Sequence, residues 1–242
     1  MKHLILFSIF FLLFSCQSML FNAGFEALGI YDDEAKLHFS ESDSKKIILL
    51  PTHHIGTQLY YDDLKYKIDS LAALNFYFYT ERVKAEGAKD SLLRKFRKFS
   101  GNPVPSSGYK NIMDSVWGKK YKIKFKKELI DQPDYSDLGV PANQSDNVDS
   151  TLEELITYYE NNYGEIILAP CDFETKFTEE TTCPKYKVSK SIRNDVLQDF
   201  RNNIVLNRID IETRDKIAII YGAGHTPGLL EGLKARGFKI EE

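Results

Sequence analysis

Apolar residues along this chain come in two rhythms. Short solid runs occur at IILL (47–50), FYFYT (76–80), EIILAP (165–170), KIAIIY (216–221) and FKI (238–240), each bounded by turn-forming or charged residues. Their brevity, with the proline that stops the first, predicts buried strands. Between them lie segments with helical spacing. In YYDDLKYKIDSLAAL the apolar positions Leu64, Ile68, Leu71 and Ala72 share a face, and Asn75 ends the helix. DSLLRKFRKF is amphipathic, GLLEGLKARG forms a helix near the end, and TLEELITYYENN is predicted to start from a Ser150 cap with Glu153 completing a capping box. SIRNDVLQDFRNNIVLNRIDIE reads as one long helix burying Ile192, Val196, Phe200, Ile204 and Ile209.

Other stretches carry less pattern. GKKYKIKFKKEL (118–129) alternates lysine with Tyr121, Ile123 and Phe125, the signature of an edge strand with a cationic outer face. GNPVPSSG and DQPDYSDLGVPANQSDNVDS read as loops, and residues 17–44 as a tether followed by an irregular segment. Strands alternating with helices over 45–242 predict a single α/β domain, a mixed central β-sheet flanked by helices.

The first sixteen residues, MKHLILFSIFFLLFSC, have the basic start and apolar stretch of a secretory signal. Its ending, Leu13-Phe14-Ser15-Cys16, resembles a lipobox, which implies lipidation of Cys16; the alternative is an ordinary signal peptide cleaved elsewhere. The expected location is the bacterial cell envelope, with a lipid anchor on the outer face of the inner membrane or at the outer membrane. Gln17 carries no Asp-type retention signal.

A composition of 43% hydrophobic residues supports a sizeable core, and a net charge of -3 gives no reason to expect nucleic acid. Cys171 and Cys183 remain after Cys16. An even pair in an exported chain is a candidate disulfide, with two free thiols the alternative.

The chemistry-bearing residues follow the strands. His53-His54 come after IILL, Glu81 directly after FYFYT, and His225 in the loop after KIAIIY. Loops at the carboxyl ends of strands converge in open α/β sheets, so His54, Glu81 and His225 form a candidate divalent-metal site, with manganese, cobalt and zinc undistinguished. An ion held with open positions suits hydrolysis. Gly222 and Gly224 are expected to supply backbone angles closed to other residues, so that a tight turn aims His225 at the sheet edge. Thr226 is the expected helix cap and Pro227 the first helical residue.

At these residues the sequence resembles the TraB/GumN family, whose relatives include the Tiki proteases and which belongs with the erythromycin-esterase and ChaN-like folds. The family's second GxxH element matches Gly222-Ala223-Gly224-His225, with Gly228 following; the first matches Pro51-Thr52-His53-His54, with Pro51 in place of glycine. Glu81 matches the strand-end glutamate, Phe200-Arg201-Asn202 a helical Arg-Asn element whose first residue is often Glu, and Asn147-Val148-Asp149 an acidic stretch before a helix. The resemblance implies a metallohydrolase acting on a peptide or small molecule, with His54, Glu81 and His225 at the ion. Arg201 would stabilise an oxyanion or hold a carboxylate, and Asn202 would orient it. Alternatively, Arg201 is an ion pair locking its helix to the sheet. His53 is expected beside the ligands or facing solvent. The related ChaN-like proteins bind haem, so a haem- or ligand-binding lipoprotein using the histidines and Tyr221 is a competing reading. A signalling or inhibitory surface protein with a degenerate site is another.

Overall fold

The structure, a computed structural model, describes residues 18–104 and 122–241. The expected signal and the Cys16 lipidation site lie outside these residues. The described residues cluster into two compact units: 18–35, 52–69 and 122–139 form one, and 36–51, 70–104 and 140–241 the other.

The second unit holds most of a mixed six-stranded sheet. Its strands are β1 (His38–Glu41), β2 (Lys46–Thr52), β4 (Tyr77–Thr80), β6 (Ser145–Asn147), β7 (Lys216–Gly222) and β8 (Lys239–Glu241), in the order β6-β4-β7-β2-β1-β8. β4 runs parallel to both β6 and β7, while β1 is antiparallel to β2 and β8. The solid apolar runs have a simple cause, since side chains alternate across a sheet and both faces here are covered. Ile47, Leu49, Tyr79, Ile217, Ile219 and Tyr221 share one core with Val205, Leu206, Ile209, Leu229 and Leu233 of the helices α6 (Phe200–Ile211) and α7 (Thr226–Ala235). Ile48, Leu50, Phe78, Ala218 and Ile220, of opposite parity, are buried as well. α6 and α7 approach closely at Gly232, where an added Cβ would lie 2.2 Å from Leu206 Cδ1.

A helical layer in the same unit brings α3 (Asp90–Ser100), α4 (Leu152–Tyr163) and α5 (Lys190–Asn194) around Phe99, Leu155, Ile156, Tyr159 and Val196. α5 and α6 are joined by a single π-helical turn, Asp195–Asp199, so the long helix read from the sequence is continuous but widened just before Arg201. The helix α4 starts one residue later than expected: the Thr151 hydroxyl, not that of Ser150, accepts from Glu154 N, and the Glu154 carboxylate accepts in turn from Thr151 N. Cys171 and Cys183 form a disulfide. Arg97, buried under this loop, donates to the carbonyls of Asp172 (2.6 Å), Lys176 (2.6 Å) and Glu179 (3.2 Å).

The first unit contains a helix at residues 18–27 (α1), most of α2 (Gln58–Ala73), and a small antiparallel pair, β3 (Ile55–Gly56) with β5 (Ile130–Asp131). Three expectations fail here and in the sheet. Residues 17–44 contain α1 and β1 rather than a mere tether. The lysine-rich segment is not an edge strand over its described part, 122–129. Its Phe125 ring stacks on Phe25 of α1, and its backbone bonds go to side chains, Lys124 N to Ser18 Oγ (3.2 Å) and Lys126 N to Asn22 Oδ1 (2.9 Å). EIILAP is no strand either: Ile166 N donates to the Glu160 carboxylate (2.9 Å), and Pro170 begins a 3-10 turn. Among the described residues, no helix is long and apolar enough to cross a membrane.

Candidate functional site

Register places three parallel strand ends at one edge of the sheet. Thr80 is level with both Ile220 of β7 and Asn147 of β6. One residue past Thr80 stands Glu81, two past Asn147 stands Asp149, and β7 ends in the Gly222 turn that carries His225. Arg201 and Asn202 reach the same place from the first turn of α6.

Arg201 is the hub, 8% exposed. Its Nε donates to Asp149 Oδ1 (2.9 Å) and its Nη2 to Asp149 Oδ2 (2.7 Å) and Glu81 Oε1 (2.5 Å). Its Nη1 contacts Leu197 O in the π turn and His225 Nε2, both at 3.1 Å. A guanidinium has five N–H groups, and five acceptors are present. Burial disfavours the Arg201 charge, but the Asp149 hydrogen bonds and the two carboxylate charges outweigh it and hold the group still more basic than usual.

His225, 5% exposed, is fixed from behind by Asn202, whose Oδ1 lies 2.7 Å from Nδ1. Asn202 Nδ2 also donates to the His225 carbonyl (3.5 Å), which orients the amide with its oxygen toward the ring. In the neutral tautomer this assigns, Nδ1 carries the proton and Nε2 a lone pair, the only form that can accept from Arg201. Nε2 also lies 3.5 Å from Glu81 Oε1. Burial works to raise the Glu81 carboxyl, yet the neighbouring His225, the Arg201 charge and the hydrogen bond from Gly222 N hold it well below the usual carboxylate range.

The glycines act differently from expectation. Gly222 has φ −53° and Gly224 is not in the left-handed region, so neither supplies a special backbone angle. They permit close approach instead: a Cβ on Gly222 would lie 3.1 Å from Glu81 Oε2, on Gly224 2.9 Å from Gln198 Nε2, and on Gly228 2.4 Å from Asn202 Nδ2. Thr226 is the first residue of α7 rather than its cap, because the 3-10 turn Ala223–His225 runs straight into the helix.

Of the expected ligands, Glu81 and His225 are brought together in this unit. His54 belongs to the other unit, where its side chain is exposed and its carbonyl accepts from Gln132 N (2.9 Å). His53 is half-buried there, its ring 5.6 Å from that of Tyr60. Burial lowers its basicity, with Asp32 opposing that shift and His54 adding to it. Tyr221, 2% exposed, spends its hydroxyl on Val148 O and sets its ring edge against His225 (5.4 Å between centroids). Asp149, read only as part of an acidic stretch, is a principal partner of Arg201. Gln198 was missed; its signal is its place three residues before Arg201, on the same helical face.

Among the described residues, Cys171, Asp172 and Cys183 are the one set of three ligand-bearing side chains close enough to share an ion, but the disulfide removes both thiolates. No family model, curated protein or solved structure matches this chain.

Proposed function

We propose that this chain is a lipid-tethered hydrolase of the bacterial cell envelope, acting on a peptide or small molecule with the aid of a divalent cation held at His225 and Glu81, in the erythromycin-esterase/ChaN-like manner that the TraB/GumN resemblance implies. The observation that carries the proposal is the buried cluster in which an imidazole nitrogen and a carboxylate oxygen stand 3.5 Å apart. Two donors on one ion at bonds of about 2.1 Å are separated by roughly 3.4 Å in tetrahedral geometry, so the pair fits in spacing. It also fits in chemistry, because a ligating histidine almost always has its other ring N–H held by an oxygen, as Asn202 holds Nδ1 here (2.7 Å).

A divalent ion supplies Lewis acidity toward a carbonyl. The protein's part is to keep Nε2 unprotonated through Asn202, to keep Glu81 ionised, and to exclude bulk water from both. Arg201 holds the two carboxylates in place; with its five N–H groups engaged, it has none left for an oxyanion while these contacts persist. A haem-binding role through Tyr221 gains no support from a hydroxyl already donated to Val148 O.

The test is metal content and hydrolysis of a quenched fluorogenic peptide library by the purified chain with manganese, cobalt or zinc. Chelation and His225→Ala are expected to abolish both; metal content unchanged in the variant contradicts the proposal.

A further inference from the structure

The atoms that a cation needs are already in use. Glu81 Oε1 and His225 Nε2 each take an N–H from Arg201, at 2.5 and 3.1 Å. The guanidinium therefore bridges the donor pair that the proposed function assigns to the ion. Its other carboxylate partner is different in kind: Asp149 takes Nε and Nη2 on its two oxygens and is itself pinned by Ser150 N (2.7 Å), without serving as one of the two proposed donors.

We propose that Arg201 is the resident cation of the metal-free site, and that a divalent ion loads by exchange, with the guanidinium leaving Glu81 and His225 while Asp149 retains it. This rests on the cation reading above and adds a regulatory step to it. A dication beside a guanidinium in low dielectric is repelled, so the two do not share Glu81 Oε1 and His225 Nε2. Full dissociation of Arg201 would strand a fully buried Asp149 carboxylate, whereas a swing about the two-point Asp149 contact does not. The contacts to be broken are the Nη2 bond to Glu81 and the Nη1 bonds to the imidazole and to Leu197 O; the fork onto Asp149, the stronger geometry, is kept. The metal-free protein is thereby a folded state with its carboxylates neutralised in part, and metal affinity is set by competition with an internal charge.

Two measurements on the purified chain test this. Calorimetric titration with Mn2+ is expected to show at least tenfold tighter binding to Arg201→Gln than to the unmodified protein. Equal affinity overturns the exchange while leaving the cation site standing; no binding to either protein overturns the cation site and the exchange with it. Because deleting a positive charge favours a cation by itself, the second measurement is made on the unmodified chain with diamagnetic Zn2+, following the Arg201 side-chain N–H resonances by NMR. At saturation the Nη1–H signal is expected to lose its protection while the Nε–H signal stays downfield and protected on Asp149. Both signals unchanged with zinc bound, or both lost together, overturns the proposal, and this reading does not depend on whether the variant folds.

Discussion

Replacing Gly228 by alanine perturbs the site without removing a charged group. Gly228 lies in the first turn of α7, and a Cβ there would stand 2.4 Å from Asn202 Nδ2, inside any permissible contact. The short asparagine can clear it only by rotating its amide, which breaks the 2.7 Å contact between Oδ1 and His225 Nδ1. Losing the partner of a buried imidazole N–H costs about 1–3 kcal/mol. Against this, alanine is favoured over glycine within a helix by about 0.5–1 kcal/mol. The net expectation is a loss of about 1–2 kcal/mol, or a Tm lower by roughly 3–6 °C in a chain of this size. The informative comparison is with Asn202→Ala, where the obstruction is gone and the same glycine replacement is expected to stabilise by about 0.5 kcal/mol. A double-mutant cycle by urea denaturation should therefore give a coupling of about 2 kcal/mol and a change of sign. Additivity within about 0.5 kcal/mol would refute the claim that Gly228 is there to admit Asn202.

Arg201→Met leaves the buried Asp149 unpaired and is expected to cost about 3–5 kcal/mol in the same denaturation assay; a loss under 1 kcal/mol contradicts the hub role. Glu212, which accepts from Tyr79 (2.6 Å), Thr213 N (2.9 Å) and Arg214, is pushed up by burial but brought down to about 2 by these partners. A depressed carboxylate contributes stability that is full above its unfolded value near 4.5 and is lost as pH falls toward about 2, so Glu212→Gln should flatten the acid limb of a Tm-against-pH curve over that window. Opening the Cys171–Cys183 bond, across a separation of 12 residues, is expected to cost about 3 kcal/mol, seen as a lower urea midpoint for the Cys171→Ser, Cys183→Ser pair. Labelled palmitate should enter the chain in growing cells and fail to enter Cys16→Ala; equal labelling contradicts the tether.

The strands that carry the core were legible because burial on both faces writes itself as unbroken apolar runs, and β2, β4 and β7 stand where IILL, FYFYT and KIAIIY foretold. The placement of Glu81 and His225 at neighbouring strand ends followed from the same runs. β6 was not legible: it is Ser-Asp-Asn at the sheet margin, with no apolar run to mark it, so the position of Asp149 just past a parallel strand end was hidden inside a loop-like stretch. The lysine alternation of 122–126 misled for the opposite reason, since period-two burial arises from packing Ile123 and Phe125 inward even where no strand pairs with the segment. Glycine in the GAGH turn was rightly singled out but for the wrong property; proximity of Glu81 and Gln198, not backbone angle, is what crowds a side chain at Gly222 and Gly224.

The central claim, that a divalent cation belongs between His225 and Glu81, is tested most directly by anomalous diffraction from crystals of the protein soaked in Mn2+ or Zn2+. The account predicts an anomalous peak about 2.1 Å from both His225 Nε2 and Glu81 Oε1, with Arg201 retained on Asp149. A saturating soak that leaves Arg201 bridging Glu81 and His225, with no peak beside them, contradicts it.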